Sequence, residues 1–106
     1  MQGSELIDKL IEEGVKEFLI LAPRNEYDGG CVGFKKETNQ LIYDYNLLYA
    51  SLCNSWRPTF KDEDELYDAV DDHLSYNTLR SLPYYQNPPI ILLENEDGVK
   101  VPHGER

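Results

Sequence analysis

Residues 62 to 72 read DEDELYDAVDD, and seven of the eleven are acids: Asp62, Glu63, Asp64, Glu65, Asp68, Asp71 and Asp72. Carboxylates at this density can do three kinds of chemistry. They can hold a cation, trade a proton in acid–base catalysis, or offer forked acceptors to guanidinium and ammonium groups of another protein. Spacing argues against the first two. A calcium loop starting at Asp62 needs Gly where Tyr67 stands and Glu where His73 stands. His73 and His103 are too far apart in the sequence for a zinc motif, and no HExxH or paired Cys/His spacing occurs. No catalytic residue, cofactor or metal is expected.

The remaining candidates for catalysis are thin. Cys31 or Cys53 with His73 would make a nucleophile and base on paper, but nothing local supports the pairing. Gly29, Gly30 and Gly33 (GGCVG) read as a turn and a strand glycine, in preference to a phosphate cradle. Asp28 and Asp44 are flanked by aromatics, which makes them formal acid–base candidates. Turn capping for Asp28 and strand-edge exposure for Asp44 are the simpler readings.

Charge presentation is what the acidic run does best. At 100° per residue, Leu66, Ala69, Val70 and Leu74 gather on one side of a helix, with Tyr67 and His73 at its edges. Asp64, Glu65, Asp68, Asp71 and Asp72 gather on the other. These five charges occupy about 12 Å of helix axis, roughly one per 2.4 Å, against roughly one per 1.7 Å in duplex DNA. A solvated helix face is the ordinary alternative, but such faces usually mix signs, and Lys61 is the only basic neighbour. The whole chain has 20 Asp and Glu against 10 Lys and Arg, a formal charge of −10 on 106 residues. That balance disfavours direct contact with nucleic acid or an anionic membrane and favours a basic protein partner.

Eight Tyr, three Phe and one Trp distinguish the chain from disordered acidic proteins. Tyr43, Tyr45, Tyr49, Tyr76, Tyr84 and Tyr85 exceed what a small core needs. Tyr76, with Tyr84 and Tyr85 in the stretch Pro83-Tyr84-Tyr85-Gln86, is a secondary contact candidate, because Tyr is enriched in interfaces. No apolar run is long enough to span a membrane and no secretory signal is visible, so the expected compartment is the cytoplasm. There Cys31 and Cys53 are expected as reduced core thiols.

The elements that must position the acidic face follow from periodicity. Ser4 can cap a helix over residues 5–13, whose stripe is Leu6, Ile7, Leu10 and Ile11 and whose stop is Gly14. Phe18 to Leu21 reads as a buried strand ended by Pro23. Asn25 to Gly30 is turn chemistry, and Cys31 to Lys35 and Leu41 to Tyr45 are further strands, making a three-stranded antiparallel meander. A helix starting near Leu47 ends near Trp56 before Pro58, and the acidic helix spans 62–74. Asp62 is its N-cap, with Glu65 at the capping-box position. Asn77 to Leu82 can add a helical turn. Pro88-Pro89 is a rigid joint, and Ile90 to Leu93 a short strand that can extend the sheet. Residues 95–106 hold a turn and a weakly ordered tail. The expectation is one α+β domain over 1–106 with its core at about 4–94: a three- to four-stranded antiparallel sheet with about three helices on one face.

Asn54-Ser55-Trp56, Phe60 and the run Asp62-Glu63-Asp64-Glu65-Leu66-Tyr67 resemble a stretch of small acidic prophage-encoded anti-CRISPR proteins, which inhibit the RNA-guided nuclease of type II CRISPR systems. The likeness covers about fifteen residues closely and residues 4 to 74 in element order. The segments 41–45 and 76–84 are also similar to uncharacterised small proteins of Gram-positive phages and mobile elements. The first resemblance implies a DNA mimic, not an enzyme, acting inside a host bacterial cell. It implies that the acidic run pairs with the Arg and Lys side chains that read the PAM.

Overall fold

The computed structural model describes residues 3–16, 18–85, 87–94 and 96–103. Among these, four α-helices and a four-stranded mixed sheet form a small α+β fold. The order is α1 Gly3–Glu12, α2 Arg24–Tyr27, β1 Cys31–Lys35, β2 Gln40–Asp44, α3 Tyr45–Trp56, α4 Glu63–Asp72, β3 Ile90–Glu94 and β4 Lys100–Pro102. Tight 3₁₀ turns cover Asp28–Gly30, Arg57–Thr59 and Leu82–Tyr84.

Helix α1 begins at Gly3, so Ser4 sits inside its first turn instead of capping it. Its end follows the sequence signal. Gly14 takes φ +82°, its N–H bonds Ile11 O at 3.0 Å, and Val15 N–H bonds Leu10 O at 3.1 Å. That pair of bonds is a Schellman motif, which closes the last carbonyls. Ile7 and Leu10 carry the helix into the core.

The sheet runs β1-β2-β3-β4, and it is not uniformly antiparallel. β1–β2 and β3–β4 are antiparallel, whereas β2–β3 is parallel. A parallel neighbour requires a long crossover, and the helical block between Tyr45 and Tyr84 supplies it. Cys31, Tyr43 and Ile91 lie in one row across three strands, all buried. The register shifts between Cys31 and Gly33, and Val32 is turned out to solvent at this bulge. β4 forms inside the segment expected to be a weakly ordered tail, because Leu93 and Glu94 pair with Val101 and Lys100. Lys100 Nζ also reaches Asp44 Oδ2 at 3.2 Å. Gly104 to Arg106 lie outside the described residues, as does Asn95 of the expected turn.

Phe18 to Leu21 is not a strand, so the expected meander reduces to the β1–β2 hairpin. The segment lies against the core through side chains. The Phe18 ring meets Phe34 edge-on at 5.7 Å, Leu21 is buried, and Leu21 N–H donates to the Tyr43 hydroxyl at 3.1 Å. A short apolar run reports burial without reporting which group takes the backbone bonds. Asn25 to Gly30, expected as a turn, falls in α2 and a 3₁₀ turn. A Cβ on Gly30 would stand 3.0 Å from Leu48 Cα, so glycine lets that turn approach α3.

Asp28 and Asp44 are both buried. Asp28 is ion-paired to Arg24 Nε at 2.9 Å, and Arg24 reaches on to Asp8 at 2.8 Å. Asp44 is not an exposed strand-edge residue. Its Oδ1 accepts from Leu47 N at 3.2 Å and caps α3, which therefore begins at Tyr45, two residues before the expected start. Cys31 and Cys53 are buried free thiols.

Tyr43→Phe should cost about 1–3 kcal/mol, because Leu21 N–H loses its partner in a buried setting; urea denaturation reads this. The thiols set a second expectation. Burial pushes Cys31 up to about 11 and raises Cys53 as well. The unfolded chain therefore loses these protons first as pH rises. Stability is full below about pH 9 and falls as pH climbs toward 11. A Cys31→Ala, Cys53→Ala double variant should flatten the fall between about pH 9 and 10, below the tyrosine range.

Candidate functional site

Helix α4 is held at its start by Asp62, whose Oδ1 accepts from Asp64 N at 2.9 Å. The reciprocal capping-box bond from Glu65 is not formed among the described residues. Leu66, Val70 and Leu74 are buried, as the helical periodicity predicts. Asp62, Glu63, Asp64, Glu65, Asp68, Asp71 and Asp72 are all exposed.

Helix α3 supplies the bed. Tyr45, Tyr49 and Trp56 recur on one face of it at helical spacing and reach α4 or its continuation. Tyr45 donates its hydroxyl to Asp71 Oδ1 at 3.0 Å, and Tyr49 donates to the Tyr67 carbonyl at 3.1 Å. Trp56 stacks on Phe60 with centroids 6.5 Å apart and meets the His73 ring edge-on at 5.1 Å. Trp56 is therefore a packing residue that fixes the helix. Tyr67 has the same role through its contact with the Tyr49 ring at 6.3 Å.

The acids divide into two groups. Asp62 is a cap, Asp71 is an acceptor for Tyr45, and Glu63 has a long ion pair to Arg57 at 3.8 Å. Asp64, Glu65, Asp68 and Asp72 have no side-chain partner among the described residues. Asp64, Asp68 and Asp72 stand one turn apart, an uncompensated stripe along the exposed face. Among the described residues, no three His, Cys, Asp or Glu side chains converge as a metal site, and no helix is long and apolar enough to cross a membrane.

The helix does not stop at Asp72. It passes into a π-helical stretch, His73–Leu79, then a last helical turn to Ser81. This widened stretch creates what the sequence did not reveal. The Tyr27 hydroxyl bridges His73 Nε2 and Thr78 Oγ1, each at 2.8 Å. Asn77 Nδ2 lies 3.1 Å from His73 Nδ1. Trp56 Nε1–H donates to Glu26 Oε1 at 3.0 Å. These groups sit beside a cavity of ≈ 330 Å³. Tyr27 and His73 are 46 positions apart, so no local pattern could have joined them.

The secondary tyrosines are solvent-facing. Tyr84 is 89 % exposed, Tyr76 61 % and Tyr85 48 %, and Arg80 lies over the Tyr76 ring at 5.5 Å. Gln86 lies outside the described residues.

Comparison with protein-family models, with curated proteins and with solved structures finds no match. The geometry of the α4 face therefore carries the functional reading.

Asp68 opposes Asp64 and Asp72 across one helical turn each. Asp68→Asn should raise stability by about 0.4–1 kcal/mol, more at low salt. Thermal unfolding at two ionic strengths measures it. A face kept only for stability would not carry that repulsion.

Proposed function

We propose that this chain is a non-enzymatic inhibitor protein that occupies the cationic site of a nucleic-acid-binding protein, with the α4 carboxylates standing in for DNA phosphates. One observation carries the reading: Asp64, Glu65, Asp68 and Asp72 are exposed and have no side-chain partner among the described residues, on a helix anchored by buried Leu66, Val70 and Leu74 and three α3 aromatics. A fixed array of one sign meets a cationic groove without the entropy cost of ordering a tail. Electrostatic steering gives fast, salt-sensitive association. The resemblance of residues 54–67 to anti-CRISPR proteins makes the PAM-reading site of a type II CRISPR nuclease the first target. There carboxylates would meet the arginine forks that otherwise read guanine.

A second reading is favoured by the exposure of Tyr84, Tyr76 and Tyr85. In it the chain is a phage or mobile-element interaction module that docks through these rings.

Competition separates the two. A guide-loaded type II nuclease is offered PAM-bearing duplex in the presence of this protein, at about 50 and 200 mM salt. The α4 reading expects inhibition that weakens at the higher salt. It expects loss of inhibition by at least about tenfold in the Asp64→Asn, Asp68→Asn, Asp72→Asn variant, with the fold kept. Asp71 is left in place because Tyr45 needs it. An unchanged triple variant overturns charge mimicry. Loss confined to Tyr84→Ala, Tyr85→Ala, with little salt dependence, installs the tyrosine reading.

A further inference from the structure

The cavity at the far end of the α4 extension has a defined polarity. Glu26, Tyr27, His73, Asn77, Thr78 and Ser81 line it with polar side chains, and the segment 19–23 with Tyr85 completes the wall. Three features fix the charge it accepts. Among the described residues, Glu26 is the one carboxylate in the lining, and no Lys or Arg lines it. Glu26 Oε1 is held by the Trp56 indole, which orients the carboxylate, while Oε2 has no hydrogen-bond partner among the described residues. The helical run from Glu63 continues into the 3₁₀ turn Leu82–Tyr84, and Thr78 and Ser81 near its C-terminal end line the cavity, on the side of the negative end of the helix dipole.

The donors and acceptors point the same way. The Tyr27 and Thr78 hydroxyls and His73 Nε2 are engaged with one another, and His73 Nδ1 with Asn77, which stiffens the wall. Glu26 Oε2 has no hydrogen-bond partner among the described residues, while the Ser81 hydroxyl donates to Thr78 O at 3.0 Å and Asn77 Nδ2 lies 3.1 Å from His73 Nδ1, which leaves the Ser81 and Asn77 side-chain oxygens able to accept. A lining with a carboxylate and, among the described residues, no Lys or Arg disfavours an anion. A planar group with several N–H donors satisfies these acceptors, and a guanidinium has five in a rigid fork. A π-helical stretch departs from regular helix bonding and is frequent at functional sites, which agrees with a binding role.

We propose that this cavity takes a guanidinium group, delivered as an arginine side chain of the cationic partner. His73 of the lining follows Asp72 on the same helix, so the partner that meets the Asp64-Asp68-Asp72 stripe is the proposed source of the arginine. The origin of the arginine rests on the α4 reading above; the cavity's choice of a guanidinium does not.

The test is made on the full chain, ¹⁵N-labelled and titrated with N-acetyl-arginine N-methylamide. Parallel titrations use the neutral citrulline isostere and the lysine analogue. Binding in roughly the millimolar range is expected, as suits so small a ligand. Shifts should fall on the Trp56 indole N–H, the Asn77 side-chain amide, Ser81 and residues 19–22. Glu26→Gln, which can still accept from Trp56, should weaken binding about tenfold or more, and Asn77→Ala should weaken it in the same direction. Equal binding of citrulline overturns a charge-selecting site. Equal binding of the lysine analogue overturns the guanidinium assignment, and shifts confined to the α4 acids overturn the cavity itself. The Asp64→Asn, Asp68→Asn, Asp72→Asn variant should bind the arginine probe like wild type. Arginine binding without any competition for DNA would leave the cavity standing and the proposed function fallen.

Discussion

Leu48 and Leu52 of α3 are fully buried, and the rest of the molecule is arranged around that burial. On one side α3 receives the tight turn at Asp28–Gly30, where glycine permits backbone to approach Leu48. On another it meets α4 through Tyr45 and Tyr49, while Trp56 reaches the His73 ring beyond it. Its N-terminus grows straight out of β2, capped by Asp44, so the central strand and the helix that carries α4 are one continuous lever. The parallel pairing of β2 with β3 follows, because the helical block must return the chain to the same end of the sheet.

The acidic helix shows how a surface can hold charge that its own helix would reject. Glu63, Asp64 and Glu65 lie in the first turn, where the macrodipole favours them. Asp71 and Asp72 would be unfavourable at a C-terminus. The helix does not end there: the π stretch and last turn carry the terminal carbonyls on to Ser81. The negative pole is thereby moved away from Asp71 and Asp72. Burial of Leu66, Val70 and Leu74 offsets the repulsion that remains.

Several particulars were legible in the chain before any fold was seen. The inward stripe of α4, its Asp62 cap, the Gly14 stop of α1 and the outward set of acids come from spacing within one element, and the β1–β2 hairpin from two strands and the turn between them. Others were misread for identifiable reasons. Phe18 to Leu21 is apolar enough for a strand, but its buried N–H is taken by a tyrosine side chain. Lys100–Pro102 is short and ends in proline, and becomes a strand only because β3 offers it an edge. Asp44 reads as an exposed strand end until the helix it caps begins one residue later.

What the sequence determined by itself is the local periodicity: which face of each helix is apolar, where caps and stops fall, and that one face carries carboxylates of a single sign. These depend on residues within about a turn of one another. What only the tertiary structure decided is which of those carboxylates are free, since Tyr45 and Arg57 reach Asp71 and Glu63 from α3 and the turn after it. It also decided the sense of β3 and the existence of the Tyr27–His73–Thr78 cluster with its cavity. Such features join residues dozens of positions apart. Their contacts are set by packing across the whole core, which no local pattern encodes.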